Sequence, residues 1–402
     1  MELYKGRRFW PTLTRDRTFQ HLTGEVRTEF AVIGGGMSGM LAAYHLAKAG
    51  YSVVLLEQGQ VAQGSTSLNT GLIQYMSDKT FTELSRDFSE ELAVSFYQAS
   101  GEALDRMEAA AAALGEEVAF SRNHSLYATA EPGEAENIEK EARAQQSAGF
   151  DTEYLTSREA RDRFGIEAAG AMITKDDVEL NPMAFVLGLA EKASSDYGLK
   201  ISEGTRVKEA DIDLVHNQIT VEDLSLSFDR LIVATGYEFY DFARAVMPRA
   251  KLIATFAAVT FPLDNIPAQG YMFWEKSKAY VFFRKSPDGR LIIGGGDEDY
   301  QELSEEKAEK TADRLRADVS DYLMHGPIPP PEYFYEAIFG ESEDGLPYIG
   351  PHPDHDQVYL IHGVGGNGTV YSAIAAGEAI KWAENSSDHL KYLWPGHERI
   401  YD

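Results

Sequence analysis

The feature that most constrains the fold is a strand–turn–helix–strand pattern near the N-terminus. An apolar run at 30–33 predicts a buried parallel strand, and a glycine-rich turn at 34–39 follows it without a gap. Apolar residues at helical spacing continue to Gly50, and a second apolar strand at 52–56 ends on Glu57. This order predicts a β–α–β unit in an α/β domain with a parallel sheet.

The glycines and Glu57 have the spacing that a bound dinucleotide requires. Gly34 permits the tight turn, Gly36 lets the backbone approach a pyrophosphate, and Gly39 lets helix and strand pack closely. The helix N-terminus adds N–H donors and a positive dipole end for the phosphates. Glu57 can accept hydrogen bonds from both ribose hydroxyls and would repel a 2′-phosphate, which favours FAD or NAD over NADP. We therefore predict a Rossmann-type dinucleotide site.

Length, charge and cysteine content exclude several classes of protein. The 402 residues are enough for two domains or for one large domain with an insertion. A formal net charge of −27 disfavours nucleic acid and anionic membranes, and we expect the acidic runs 131–141 and 297–309 to be solvated. The absence of cysteine excludes disulfides, iron–sulfur ligation and a cysteinyl flavin link. No membrane-length run or signal peptide is evident, so we expect a cytoplasmic protein, and no metal site is predicted.

Three further segments have an informative composition. Residues 1–27 form an arm with more basic than acidic residues, which we expect to dock on the acidic body. Residues 64–71 are small and polar, and they suit either contact with a phosphate or flat polar ring or an ordinary surface loop. Residues 251–300 predict antiparallel strands with a hairpin turn at 286–289, and their many aromatic residues are expected mostly in the core.

The C-terminal part of the chain returns to the glycine-rich pattern. A strand at 231–234 leads into Thr235 and Gly236, and because it is apolar throughout we expect it in the same sheet as the first strand. The stretch 344–347 reads Asp-Gly-Leu-Pro, and a second glycine-rich turn at 363–369 opens a helix. This helix start again offers N–H donors and a positive dipole end.

Taken in order, these motifs resemble the FAD-dependent oxidoreductases of the D-amino-acid oxidase type, which include glycine oxidase, sarcosine oxidase and glutamylputrescine-oxidase-like proteins. The resemblance covers residues 28–385 and is specific for the superfamily, not for a substrate. It implies an α/β fold, in which a Rossmann-type FAD-binding domain with a parallel sheet is interleaved with an antiparallel-sheet α+β substrate domain. The implied segments are 28–85, 170–245 and 335–395 for the FAD-binding domain, and 86–169 and 246–334 for the substrate domain.

The resemblance also implies particular cofactor contacts. The glycines of the first turn would hold the pyrophosphate, Glu57 the adenosine ribose, Val207 the adenine region, and residues 365–369 the isoalloxazine ring near its C2 carbonyl. The residues expected to bind FAD are Gly34, Gly36, Met37, Ser38, Gly39, Glu57, Gln58, Gly64, Ser65, Thr66, Asn69, Thr70, Gly71, Val207, Ala234, Thr235, Gly236, Gly345, Gly365, Gly366, Asn367, Gly368 and Thr369.

Departures from the family pattern bear on the chemistry. Leu68 stands where members with a histidyl-linked flavin have histidine, so non-covalent FAD is implied. Val370 stands where the sarcosine-oxidase type has a carboxylate-binding lysine, and 339–343 lacks the arginine that several relatives place before Asp-Gly-Leu-Pro. The usual carboxylate clamps are therefore missing, which argues against a simple amino-acid substrate.

The main hypothesis is oxidation of a primary or secondary amine by hydride transfer from the α-carbon to flavin N5, followed by hydrolysis of the imine in water. Arg284 is the candidate for binding an anionic substrate group, and Tyr75, Tyr271 and His362 are further substrate-side candidates. Oxygen, a quinone or a partner would take up the electrons. An NAD-dependent dehydrogenase and a non-catalytic flavin-binding subunit are the alternatives.

Overall fold

The computed structural model describes residues 2–247, 250–263, 271–276, 280–322 and 328–397, which form two β-sheets with helices packed against them. The strands are β1 (Tyr4–Arg7), β2 (Gly24–Ile33), β3 (Val53–Leu56), β4 (Leu72–Ile73), β5 (Ser121–Thr129), β6 (Thr152–Thr156), β7 (Gly170–Glu179), β8 (Lys200–Ser202), β9 (Ile212–Asp213), β10 (Gln218–Val221), β11 (Leu224–Val233), β12 (Lys251–Thr260), β13 (Tyr271–Glu275), β14 (Val281–Lys285), β15 (Leu291–Asp299), β16 (Pro331–Glu341), β17 (Tyr348–His352) and β18 (His355–His362). The helices are α1 (Met37–Lys48), α2 (Phe81–Asp87), α3 (Glu90–Ala111), α4 (Ala135–Ser147), α5 (Ser157–Phe164), α6 (Pro182–Asp196), α7 (Asp241–Arg244), α8 (Glu305–Tyr322) and α9 (Gly368–Ala383).

The first β–α–β unit forms as the sequence predicts. Strands β2 and β3 pair in parallel with Ile33 opposite Leu56, and α1 connects them. Strand β11 pairs in parallel with the other side of β2, with Val233 opposite Ile33, so its predicted return to the first sheet is confirmed. The order of this eight-stranded sheet is β17-β18-β11-β2-β3-β8, with β10 beside β11 and β9 beside β10. The carboxyl ends of β2, β3 and β11 therefore lie side by side.

Helix α1 starts directly after β2 because Gly39 allows the two elements to approach closely. A Cβ atom at Gly39 would lie 1.9 Å from the carbonyl oxygen of Gly34. Gly50, just beyond the helix, has a φ of +97° and fits the predicted helix end. Helix α9 packs beside α1, and a hydrogen bond of 2.7 Å joins the hydroxyls of Ser38 and Ser372. The N-termini of both helices are thus brought to the same side of the sheet.

The second sheet is built largely from the middle of the chain. Its order is β1-β16-β12-β15-β14-β13-β5-β7-β4, with β6 beside β7. Pairing is antiparallel except between β13 and β5. The hairpin turn forms at 286–289 as predicted, and the amide of Gly289 donates to the carbonyl of Ser286 at 3.1 Å. Helix α8 packs on this sheet through buried residues such as Leu315 and Val319.

The N-terminal arm docks on the body, as its composition predicts. Strand β1 joins the edge of the larger sheet beside β16, and Trp10 is 1% exposed. The guanidinium of Arg17 pairs with Glu117 and Glu191. The arm is shorter than predicted, because residues 24–27 already belong to β2 and pair with β11.

Sheet membership departs from the predicted domain segments in three places. Strands β4, β7 and β16 fall wholly or partly within the predicted FAD-binding segments, yet they belong to the larger sheet. The reason is their pairing, since β7 lies between β4 and β5, and β16 lies between β1 and β12.

The predicted fold class, an α/β fold with one largely parallel and one largely antiparallel sheet, is confirmed. Among the helices in the described part of the chain, none is long and apolar enough to cross a membrane.

Candidate active site

A cavity of about 1370 Å³ is lined by residues of both sheets and lies at the carboxyl ends of β2, β3 and β11. Its wall also includes the polar loop 64–70, the segment 205–209 and the turn that precedes α9. A single drug-sized ligand typically fills about 300–1000 Å³. The cavity therefore has room for a dinucleotide and for a second, smaller molecule.

The N-terminus of α1 faces this cavity without a side-chain cap. Gly34, Gly36, Met37 and Ser38 line the wall, and the first turn of the helix contains no acidic residue. The amides of a first helical turn have no acceptor within the helix. Together with the helix dipole, they form a site for a phosphate group.

Glu57 follows β3, where its carboxylate accepts two backbone hydrogen bonds. The amide of Gly35 donates to Oε2 at 2.6 Å, and the amide of Gly59 donates to Oε1 at 2.8 Å. Burial, the larger effect, raises the pKa of Glu57, and these two hydrogen bonds oppose the shift. Each carboxylate oxygen has further acceptor capacity, so Glu57 can also accept hydrogen bonds from a ribose.

Distant parts of the chain hold the polar loop 64–71 in place. Trp10 donates from its indole nitrogen to the carbonyl of Asn69 at 2.5 Å, and Asn69 Nδ2 donates to Thr369 Oγ1 at 3.2 Å. The hydroxyl of Tyr335 donates to the carbonyl of Leu68 at 2.7 Å. These bonds link the loop to the N-terminal arm, to β16 and to the start of α9. The loop is therefore a fixed part of the cavity wall.

The turn before α9 places a second uncapped helix N-terminus on the same wall. Gly365, with a φ of +56°, and Gly366 line the cavity, and the first turn of α9 contains no acidic residue. Asn367 makes no capping hydrogen bond, and its Nδ2 donates instead to the carbonyl of Met76 at 2.9 Å. Two helix dipoles from distant parts of the chain thus point their positive ends at one cavity.

Most of the predicted cofactor residues lie on this wall. They are Gly34, Gly36, Met37, Ser38, Glu57, Gln58, Gly64, Ser65, Thr66, Asn69, Thr70, Val207, Ala234, Thr235, Gly236, Gly365, Gly366, Asn367, Gly368 and Thr369.

Gly39, Gly71 and Gly345 do not line the cavity, and for these three the predicted contact is corrected. Gly39 instead packs α1 on β2, as described above. A Cβ atom at Gly71 would lie 2.2 Å from the carbonyl oxygen of Leu180, so Gly71 faces the body of the protein. Gly345 forms a turn beside the side chain of Lys79, with a φ of +77°.

Arg284 also lies away from the cavity wall, and its prediction as a ligand for a substrate anion is corrected. Its side chain is 2% exposed, and it donates to the carbonyls of Thr70 at 2.7 Å, Leu180 at 2.7 Å and Lys285 at 3.1 Å. Burial lowers the pKa of Arg284 to about 10, and the charge of Glu179 opposes this shift. Arg284 therefore fixes the end of the polar loop.

The three weaker substrate-side candidates are buried outside the cavity wall as well. Tyr75 is 7% exposed and its hydroxyl donates to Gln145 at 3.3 Å, whereas Tyr271 is 3% exposed and donates to the carbonyl of Phe164 at 3.1 Å. His362 Nδ1 lies 3.3 Å from the carbonyl oxygen of Gly236, and burial lowers the pKa of His362 to about 4.

The wall on the side of the second sheet includes aromatic residues of the stretch 251–300, most of which the sequence assigned to the core. Trp274 and Tyr127 stack with ring centroids 4.1 Å apart and an interplanar angle of 26°. Of the aromatic residues between 251 and 300, the four on the wall are Phe256, Trp274, Tyr280 and Phe282. Acidic residues from separate segments complete it, among them Asp78, Asp297 and Glu341. Asp297 is exposed, as predicted for the run 297–309, whereas Glu141 of the other acidic run, 131–141, is 2% exposed, which corrects that prediction.

The chain matches known proteins along most of its length. The family model described as FAD dependent oxidoreductase matches residues 29–382. Glycine oxidase of Bacillus licheniformis is 26% identical over 372 residues, which cover 88% of this chain and 91% of the relative. Gamma-glutamylputrescine oxidoreductase of Escherichia coli (strain K12) is 22% identical, covering 77% and 75%. The crystal structure of glycine oxidase from Geobacillus kaustophilus superposes with a TM-score of 0.78 at 18% identity, covering 93% of this chain and 99% of that one.

The parallel sheet, its two uncapped helix N-termini and the large shared cavity define a dinucleotide-dependent enzyme. The chain belongs to the FAD-dependent oxidoreductase family of the D-amino-acid oxidase type, so the resemblance carried by the motifs is confirmed.

The cavity fits FAD, the cofactor of this family. Cβ atoms at Gly236 and Gly365 would meet no protein atom within 4 Å, so these glycines leave open space on the wall. Gln74 Nε2 and Trp274 Nε1 are buried on the same wall, and among the described residues neither has a hydrogen-bond partner. A polar aromatic group such as a flavin can occupy this space and accept such hydrogen bonds.

Proposed function

We propose that this protein oxidises a primary or secondary amine, removing a hydride from the α-carbon to give an imine that water hydrolyses. The observation that carries the proposal is the continuity of one cavity from the nucleotide-binding turns to a wall of aromatic and acidic side chains. The names of the relatives support it, since glycine oxidase and gamma-glutamylputrescine oxidoreductase both have amine-containing substrates.

Bound FAD supplies the acceptor for the hydride. The aromatic faces of Tyr127, Trp274 and Phe282 orient the substrate carbon and exclude water from it. Asp78 is a group on the wall that can take a proton from the substrate ammonium before the hydride leaves. Burial, helped by the charges of Glu341 and Asp297, raises the pKa of Asp78 to about 7, which is suited to that transfer near neutral pH.

The acceptor that reoxidises the flavin is a separate part of the proposal. Molecular oxygen would make the protein an oxidase, and a quinone or a protein partner would make it a dehydrogenase. The two are distinguished by the yield of hydrogen peroxide per imine formed under air, which is stoichiometric for an oxidase and negligible for a dehydrogenase.

The test of the proposal is an anaerobic panel of amines and amino acids added to the FAD-loaded protein. We expect at least one amine to bleach the flavin absorbance, with formation of the matching aldehyde or ketone. If dithionite reduces the flavin but no amine in the panel bleaches it, the proposal is overturned, and a non-catalytic flavin-binding subunit is favoured instead.

A further inference from the structure

Carboxylates from three separate segments meet at the part of the cavity beside the α9 turn. Asp78 lies between β4 and α2, Asp297 near the end of β15, and Glu341 at the end of β16. A Cβ atom at Gly366 would lie 2.7 Å from Oδ2 of Asp78. Glu341 forms a backbone bridge with Val364. Asp78 and Glu341 therefore flank the turn that opens α9, and Asp297 lies near enough to Asp78 for its charge to act on it.

These three charges act on one another. Burial and then the charges of Glu341 and Asp297 raise the pKa of Asp78 to about 7. Burial raises the pKa of Asp297 to about 6, although a hydrogen bond with Thr255 opposes the shift. In the described part of the chain, no hydrogen bond or ion pair satisfies the side chains of Asp78 and Glu341. The cavity thus contains negative charge that the protein leaves uncompensated.

Two of the three cationic side chains on the described wall pair with other carboxylates. Arg206 and Lys208 flank Val207 at the predicted adenine end, and Arg206 lies 3.4 Å from Glu238. The ammonium of Lys276 lies 3.7 Å from Glu134. Outside the wall, Lys251 lowers the pKa of Glu341 by its charge, but its ammonium pairs with Asp299 at 2.5 Å. Besides the positive end of the α9 dipole, a ligand can therefore supply positive charge to the three carboxylates.

The aromatic part of the wall is a further sign of a ligand. Gln74 and Trp274 are 5% and 4% exposed, and among the described residues no group accepts a hydrogen bond from a side-chain nitrogen of each, so an acceptor atom of the flavin or of the substrate can do so. Burial, followed by the charges of Asp78 and Asp297, raises the pKa of Tyr280. Aromatic faces beside carboxylates are the usual surroundings of a bound ammonium group.

We propose that the substrate is a diamine or polyamine, an amine that carries a second ammonium group and no carboxylate near the reacting carbon. The carboxylates of Asp78, Asp297 and Glu341 bind its ammonium groups, and Trp274, Tyr127 and Tyr280 cover its carbon chain. This inference rests on the proposed amine oxidation. One ammonium would leave at least one carboxylate of the cavity uncompensated, and a substrate carboxylate would meet like charges.

The test measures binding and flavin reduction separately in the FAD-loaded protein. A series of α,ω-diamines with chains of increasing length is compared with the mono-amines and the ω-amino acids of matched length. Binding is measured anaerobically by calorimetry, and flavin reduction by stopped-flow absorbance. We expect the best diamine to bind at least about tenfold more tightly than its mono-amine and the ω-amino acid to bind more weakly than either.

Two variants and a control assign the effect to the carboxylates. Asp78→Asn and Glu341→Gln should each reduce the preference for the diamine over the mono-amine by about tenfold. Glu136→Gln changes the net charge equally on an exposed face of α4, where Glu136 pairs with Lys140, and should leave the preference unchanged.

The outcomes separate this inference from the proposed function. Equal affinity for diamines and mono-amines across the series, or preference for an ω-amino acid, would overturn the diamine proposal even if amines reduce the flavin. If a diamine binds tightly, and its binding depends on Asp78 and Glu341, but it does not reduce the flavin, the proposed binding site is supported and the proposed amine oxidation is overturned.

Discussion

Gly39 is a residue at which a single methyl group would separate a helix from the sheet. An added Cβ would lie 1.9 Å from the Gly34 carbonyl oxygen, and no side-chain rotation can relieve a clash with backbone. We expect Gly39→Ala to lower the free energy of unfolding by about 3 kcal/mol. Gly101→Ala, in α3 with no atom within 4 Å of the added Cβ, should raise it by about 0.5–1 kcal/mol. Urea unfolding measures both, and similar values for the two variants would contradict this packing argument.

Glu57 and Glu29 both accept backbone hydrogen bonds beside the paired strands β2 and β3. They lie at opposite ends of this strand pair. Glu57 lies on the cavity wall, whereas Glu29 is away from that wall and accepts from the amide of Ser52 at 2.7 Å. We expect Glu57→Gln to weaken FAD binding by about tenfold, because one carboxylate acceptor becomes a donor. Glu29→Gln should leave FAD affinity unchanged. Quenching of FAD fluorescence measures both, and equal effects would remove Glu57 from the cofactor site.

The pKa of Asp78, raised from 3.8 to about 7, predicts a pH-dependent stability for the flavin-free protein. Between these values the folded protein retains a proton that the unfolded chain has released, so stability falls as the pH rises through this window. The Asp78→Asn variant lacks this titrating group, so its stability does not show this fall with rising pH. The Tm of the variant minus that of the wild type should therefore increase from pH 4 to pH 7 and change little outside that range. A difference that is independent of pH would contradict the assignment.

At the scale of elements, the N-terminal arm serves the cofactor loop rather than a separate function. Trp10 is buried, donates to Asn69 and lies 5.3 Å from the guanidinium carbon of Arg284, which in turn holds Thr70. We expect Trp10→Ala to lower the free energy of unfolding by about 3–5 kcal/mol and to weaken FAD binding. Trp10→Phe, which keeps most of the packing and loses the hydrogen bond, should give smaller changes in the same direction. Thermal unfolding with and without FAD measures both effects. A loss of stability with unchanged FAD affinity would show that the arm does not position the loop.

Local sequence patterns predicted those parts of the site whose residues are close together in the sequence. The turn 34–39, its flanking strands and Glu57 are contiguous, and their spacing is set by the geometry of one β–α–β unit. Arg284 was wrongly predicted to bind a substrate anion, because the residues next to it in the sequence do not show which groups accept its hydrogen bonds. Its burial depends on the carbonyls of Thr70 and Leu180, which are 214 and 104 residues away in the chain.

At the scale of the whole molecule, the site has two parts. The cofactor-binding turns could be predicted from the sequence, whereas the acidic and aromatic wall is formed only when the chain folds. The glycine turns at both ends of the chain have a local signature, and the sheet order brings them together. Asp78, Asp297 and Glu341 have none, because each is an ordinary acidic residue in an acidic chain. Only the arrangement of the two sheets gathers them on one wall with Trp274 and Tyr127.

The central claim is that the cavity shared by the two sheets binds one molecule of FAD without a covalent bond. The direct measurement is the flavin content of the purified protein before and after acid precipitation. We predict a yellow protein with one FAD per chain, all of it released into the supernatant. A colourless protein that does not bind added FAD, or flavin that stays with the precipitate, would contradict this account.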